Sequence, residues 1–110
     1  INMLLIKTLL MKLMPNCTLI EAINGSEAIE KFHSEFPDLI LMDIQMPVKN
    51  GYEATVGIRK IANFNVPIIA LTAGIVLGEK EKCIEFGMND YLSKPIIKGE
   101  LEQILLKWVN

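Results

Sequence analysis

Three residues in this sequence can do chemistry together: Asp43, Thr72 and Lys94. Each falls at the end of a short run that reads as a strand. Asp43 ends Leu39-Ile40-Leu41-Met42, Thr72 ends Val66-Pro67-Ile68-Ile69-Ala70-Leu71, and Lys94 follows Asp90-Tyr91-Leu92-Ser93. The set is an oxygen nucleophile, a hydroxyl donor and an ammonium. Such a set can take up a phosphoryl group: the carboxylate attacks, Lys94 neutralises the phosphoryl oxygens, and Thr72 donates a hydrogen bond to one of them. Phosphoryl transfer is mostly positioning and charge stabilisation, so few groups suffice when a metal helps. Singly, each residue has a plainer reading: a loop or cap Asp, a strand-end Thr, a surface Lys. Their joint occurrence, with Met46-Pro47, Gly51 and Lys94-Pro95 in place, favours the chemical one.

The elements that must position these residues are legible from periodicity. Residues 39–42 form an uninterrupted apolar run between Pro37 and Pro47, the pattern of a strand buried on both faces of a parallel sheet. Residues 66–71 repeat it, and residues 90–93 give a shorter strand that Pro95 cannot prolong. Ligands of open α/β sheets sit at the carboxyl ends of the strands, where Asp43, Thr72 and Lys94 fall. Helices are expected at residues 2–13, after a turn at Asn24–Glu27, at 52–62, at 78–86 and at 98–109. Asn24 and Glu27 have capping-box spacing. Ala28, Ile29, Phe32 and Phe36 follow as an apolar stripe, with His33 off it and on the surface. The inner face of 52–62 is Ala54, Ile58 and Ile61. Gly57 inside that helix costs about 1 kcal/mol relative to Ala, so packing must hold it. Residues 17–22 read as one more strand, and 73–77 as a loop. Strands alternating with helices through short loops imply parallel pairing, right-handed crossovers and helices on both faces.

Bulk properties narrow the classes. A chain of 110 residues, 51% hydrophobic and 22% charged, fits one soluble globular domain, residues 1–110. A net charge of −2 without a basic cluster argues against nucleic-acid or membrane contact. Cys17 and Cys83 are far apart inside apolar patterns and read as buried free thiols of a cytosolic domain. The apolar opening, residues 1–14, is broken by Lys7 and Lys12, too short for a span and unlike a signal peptide.

The segments LILMDIQMPVKNGYEA, PIIALTA and GMNDYLSKPI stand in an order and spacing that resemble the receiver domains of two-component response regulators. The wording LTA and DYLSKPI most resembles receivers attached to hybrid histidine kinases. The resemblance covers the whole chain. It implies a flavodoxin-like three-layer α/β sandwich with a parallel sheet of order 2-1-3-4-5. It implies that Asp43 is the phosphoacceptor, fed by a phosphohistidine of a histidine kinase or a histidine phosphotransfer protein. Thr72 would be the switch hydroxyl, Tyr91 the switch aromatic and Lys94 the phosphate-pairing lysine, with a cis bond before Pro95. Mg²⁺ would be the cofactor, held by Asp43 and the backbone carbonyl of Gln45. Tyr91 also has a plain reading, an aromatic packing over the last helix.

One departure matters. The family carries an acidic pair at the end of its first strand, and this sequence opens on Ile1-Asn2-Met3, at the start of the following helix. The first strand and both acids are absent, so Mg²⁺ binding is expected to be weak. Three outcomes are expected for the sheet: self-association through exposed edges, residues 17–22 closing up beside 39–42, or a strand present in the molecule beyond this sequence. Two other functions compete with a phosphorylation switch. One is a receiver-like interaction module that takes no phosphate. The other is a phosphatase of the haloacid dehalogenase type, disfavoured because Gln45 stands where that family needs a second Asp. The domain itself is thus expected to be a non-enzyme, cytoplasmic, and compatible with a membrane-anchored parent.

Overall fold

The computed structural model describes residues 3–45, 48–61, 66–73 and 78–109. Among them the order is α1 (Met3–Leu13), α2 (Gly25–Glu35), β1 (Ile40–Asp43), α3 (Gly51–Ile61), β2 (Ile68–Thr72), α4 (Glu79–Glu85), β3 (Asp90–Ser93) and α5 (Lys98–Trp108). The strands form one parallel sheet in the order β1-β2-β3.

The sheet divides the apolar residues by parity, because successive side chains on a strand point to opposite faces. Ile40 and Met42 of β1, Ile68 and Ala70 of β2 and Tyr91 of β3 pack on one side. There they meet Phe32 of α2, Ala54 and Ile58 of α3 and Cys83 of α4. Leu41, Ile69, Leu71 and Leu92 pack on the other, against Ile6 of α1 and Leu101, Ile104 and Leu105 of α5. This is the expected three-layer α/β sandwich. The whole of β2 is buried, as its unbroken apolar run required.

Helix starts follow local chemistry. The Asn24 side chain accepts from Glu27 N at 2.8 Å, capping α2. Glu27 Oε1 reaches back to Ile23 N at 3.3 Å, one residue before the cap. A second pair with the same spacing is fully reciprocal: Asn50 Oδ1 accepts from Glu53 N at 2.9 Å, and Glu53 Oε1 accepts from Asn50 N at 3.1 Å. That box starts α3 and was not recognised in the sequence. After α4, Gly87 takes a left-handed φ of 102°, which a side chain would strain.

Three expectations need correction or limits. Residues 17–22 take no regular structure; among the described residues β1 pairs with β2 alone, so the closed-up sheet is not realised. A short strand persists only through its ladder, and among the described residues this segment pairs with none. It is tethered instead by side chains, with Lys7 Nζ 2.9 Å from Glu21 Oε1 and Lys31 Nζ donating to Glu21 O. Phe36 leaves the α2 stripe. It caps the helix with a left-handed φ of 46° and is 54% exposed, because the following Pro37 disfavours α conformation there. Its ring still meets Phe32 edge-on, with centroids 6.0 Å apart. The loop at 73–77 and the inward face of Ile61 lie largely outside the described residues.

Candidate site at the carboxyl edge of the sheet

Asp43 ends β1, Thr72 ends β2, and Lys94 follows Ser93 at the end of β3. In register, Asp43 stands beside Leu71 and Thr72 beside Ser93, so the three lie along one edge. Lys94 spans the sheet end, its Nζ donating to Asp43 Oδ1 at 3.2 Å. The same oxygen accepts from Gln45 N at 3.1 Å. The carboxylate is buried and the ammonium half-buried, so the pair is screened less than a surface one. Lys94 is seated by its own amide, which donates to Thr72 O at 2.8 Å, and the Lys94-Pro95 bond is cis.

Thr72 is buried, its Oγ1 lying 3.5 Å from Leu92 O, at the long limit of a hydrogen bond. Tyr91 is half-buried on the α2–α3–α4 side, with Lys80 Nζ 5.9 Å from its ring centroid. Gln45 is exposed beside Asp43. His33 is exposed, as expected. The edge thus brings Asp43 and Lys94 into contact and sets Thr72 and Gln45 next to them; Tyr91 sits two residues before the end of β3.

Two glycines let backbones close around the site. A Cβ on Gly51 would lie 2.5 Å from Asp43 O and 2.8 Å from Ile44 Cα, and Gly51 N donates to Ile44 O at 2.9 Å. A Cβ on Gly25 would lie 2.6 Å from Lys49 Cβ, and Gly25 N donates to Lys49 O at 3.0 Å. The sequence signalled Gly51 through its place after Asp43. Gly25 was read only as part of a turn.

Other polar groups build the opposite edge. Arg59 of α3 donates to Gly87 O from Nε (3.0 Å) and Nη2 (2.7 Å), to Val66 O from Nη1 (2.8 Å), and to Asn89 Oδ1 from Nη2 (2.8 Å). Burial pulls its pKa down from the usual guanidinium range. Asp90 accepts from Trp108 Nε1 at 3.0 Å and Lys107 Nζ at 3.3 Å, fastening the end of α5 to the start of β3. Burial pushes its carboxyl up, but the bonds from Trp108, Tyr91 N and Lys107 outweigh that, and its pKa falls below the usual value. Next to the site, Tyr52 packs on Phe86 with ring centroids 4.8 Å apart, and its hydroxyl lies 4.0 Å from Cys83 Sγ. Burial raises the pKa of both Tyr52 and Cys83, so neither is a nucleophile near neutral pH.

As a magnesium site the described residues are incomplete. Mg²⁺ takes about six oxygens in near-octahedral geometry. Asp43 is the carboxylate at this edge, and among the described residues no group of three His, Cys, Asp or Glu could hold a metal ion.

A parallel sheet covered on both faces, with an aspartate and a lysine in contact across its carboxyl edge, defines the flavodoxin-like receiver class. The chain belongs to the response regulator receiver domains, whose family model matches residues 1–106. It is 40% identical over 113 residues to the sensor protein GacS of Pseudomonas syringae pv. syringae, covering 99% of this chain and 12% of that protein. It is 47% identical over 112 residues to the hybrid signal transduction histidine kinase I of Dictyostelium discoideum, covering 94% of this chain and 6% of that protein. The chain therefore spans only a small part of these relatives. Among solved structures, it resembles the receiver domain of a Pseudomonas aeruginosa sensor histidine kinase that holds a magnesium ion in its active-site cleft. That match has 40% identity and a TM-score of 0.86, covering 97% of this chain and 87% of that one. It also resembles a Saccharomyces cerevisiae response-regulator receiver domain crystallised with its histidine phosphotransfer protein, at 32% identity and a TM-score of 0.88, covering 97% and 80%. Among the described residues no helix is long and apolar enough to cross a membrane.

Proposed function

We propose that this domain, residues 1–110, is a phosphoacceptor in a two-component phosphorelay, and that Asp43 takes its phosphoryl group from a phosphohistidine of a histidine kinase or phosphotransfer protein. The observation that carries the reading is the contact between Lys94 Nζ and Asp43 Oδ1, 3.2 Å at a buried sheet edge. An Asp43 carboxylate oxygen attacks phosphorus. The P–N bond breaks, and its electron pair returns to the imidazole, which takes up a proton. The Gln45 N–H and Lys94 orient the carboxylate, and Lys94 then pairs with a phosphoryl oxygen. Thr72 donates its hydroxyl to another, and Tyr91 follows, biasing a face formed by the last helices toward or away from a partner. Asp43 and the backbone carbonyl of Gln45 would contribute to holding Mg²⁺, which would neutralise phosphoryl charge. The domain accepts the group and is not itself the kinase.

The test is intact mass after incubation with acetyl phosphate and Mg²⁺. Gain of one phosphoryl group in the wild type and none in Asp43→Asn is expected. No mass gain in either protein would instead select an interaction module that takes no phosphate.

A further inference from the structure

We propose that Gly25 is a positioning residue for the Asp43 site, through a backbone contact between the start of α2 and the loop that follows β1. The inference rests on the phosphoacceptor reading above.

The loop that follows β1 carries Gln45, whose N–H donates to Asp43 Oδ1 at 3.1 Å. Its two ends are fixed by neighbouring structure. Ile44 N donates to Leu71 O at 3.3 Å, and Gly51 N closes back on Ile44 O at 2.9 Å. Farther along, Gly25 N donates to Lys49 O at 3.0 Å. That bond reaches the loop from a different layer of the fold. It leaves no room for a side chain, because a Cβ on Gly25 would meet Lys49 Cβ at 2.6 Å and Lys49 C at 2.8 Å. These are main-chain and near-main-chain atoms, which a rotamer change cannot move aside.

Gly25 itself cannot yield easily. The Asn24 side chain caps α2 through Glu27 N, and Lys31 Nζ bridges to Glu27 Oε1 at 3.1 Å. Ala28 N closes the first turn of α2 on Asn24 O at 3.0 Å. A displacement at Gly25 therefore passes to Lys49, then to Asn50 and Gly51. Gly51 has no clearance against Asp43 O and Ile44 Cα. The nucleophile's own strand end lies at the end of that chain of contacts.

Gly57 supplies the matched control. Its missing Cβ also faces a neighbour, but that neighbour is the tip of the Ile29 side chain, and the contact is remote from the loop. Gly25→Ala and Gly57→Ala both crowd the α2–α3 region, and only the first pushes on the Asp43 loop.

The experiment compares wild type, Gly25→Ala, Gly57→Ala, Asn24→Ala and Asp43→Asn. Two quantities are read: the rate of phosphoryl uptake from acetyl phosphate by intact mass, and the amide resonance of Gln45, whose N–H donates to Asp43 Oδ1. Gly25→Ala is expected to slow uptake by roughly tenfold to a hundredfold, the order for a nucleophile displaced by up to about an ångström. It is also expected to shift the Gln45 amide. Gly57→Ala is expected to leave both near wild type. Asn24→Ala, which loosens the same strut without a clash, is expected to move both in the direction of Gly25→Ala, and it carries the test if Gly25→Ala does not fold. Wild-type uptake that is lost in Asp43→Asn but unchanged in Gly25→Ala, or in Asn24→Ala, overturns the positioning role and leaves the phosphoacceptor reading standing. Absence of uptake in the wild type overturns both.

Discussion

Lys94 Nζ lies 3.2 Å from Asp43 Oδ1 although 51 positions separate them in the chain. The contact is made possible by parallel strands that end at the same edge of the sheet, with β2 between them. It gives a buried carboxylate its cationic partner. Removing Lys94 therefore withdraws both the orienting donor and the charge that a transferred phosphoryl group would meet. Lys94→Ala is expected to slow phosphoryl uptake by about 10²–10³-fold, the usual consequence of losing one preorganised donor. Stopped-flow or quenched-mass kinetics with acetyl phosphate measures it. Uptake within threefold of wild type, on the order of 0.65 kcal/mol of barrier, would refute the role.

Arg59 should be a stability residue and not a site residue. Its guanidinium satisfies Gly87 O, Val66 O and Asn89 Oδ1 at once, at the edge opposite Asp43. Truncation removes the side-chain donor of Gly87 O and Val66 O, while Asn89 Oδ1 keeps Ile68 N at 2.9 Å. Arg59→Ala is expected to lower unfolding free energy by about 2–4 kcal/mol. Arg59→Lys should recover only part of this, because one ammonium cannot reproduce the planar fork. Urea unfolding of the three proteins decides it.

Acid sensitivity should run through Asp90. Its pKa is lower when folded than unfolded, so the unfolded chain binds more protons as the pH falls. Asp90 thus adds stability that is present above its unfolded pKa of about 3.9 and is lost as pH drops through the lower folded value. The cause is the set of hydrogen bonds from Trp108, Tyr91 N and Lys107 to a partly buried carboxylate. Trp108→Phe removes one of them and should flatten the loss of stability below about pH 4 while reducing stability at neutral pH by about 1 kcal/mol. Unfolding midpoints measured across that range, with unchanged slopes in the variant, would contradict the assignment.

The two thiols should differ sharply. Cys83 is buried against Tyr52 and its pKa is raised by burial, whereas Cys17 is half-buried in the extended segment after α1. A thiol reagent at neutral pH is expected to label Cys17 alone in the folded protein and both in urea. Mass mapping of the labelled peptides checks it. Fast folded-state labelling of Cys83 would mean that α4 opens readily from the α3 layer.

Much of this molecule was legible in the linear sequence because the signals are local. Apolar runs at 39–42 and 66–71 marked β1 and β2, and the shorter Asp90-Tyr91-Leu92-Ser93, stopped by Pro95, marked β3. Helical spacing and an Asn-x-x-Glu cap announced α2, although its first turn, Gly25 to Glu27, read as a turn before the helix, and the helix expected at 78–86 contains α4. The residue closing each strand then had to fall on the carboxyl edge, which is why the sequence alone sets Asp43, Thr72 and Lys94 along one edge. What tertiary structure alone decided is everything that depends on a distant backbone group. Residues 17–22 have strand composition, yet a strand exists only when paired, and among the described residues they pair with none. Arg59 and Gly25 bond to carbonyls of Gly87, Val66 and Lys49, and a carbonyl leaves no trace in residue type. Asp90 opens a strand and Trp108 ends a helix, and only folding brought the carboxylate to 3.0 Å from the indole Nε1. Periodicity and capping are written in neighbouring residues, whereas clearance and main-chain acceptors come into being only when the layers close.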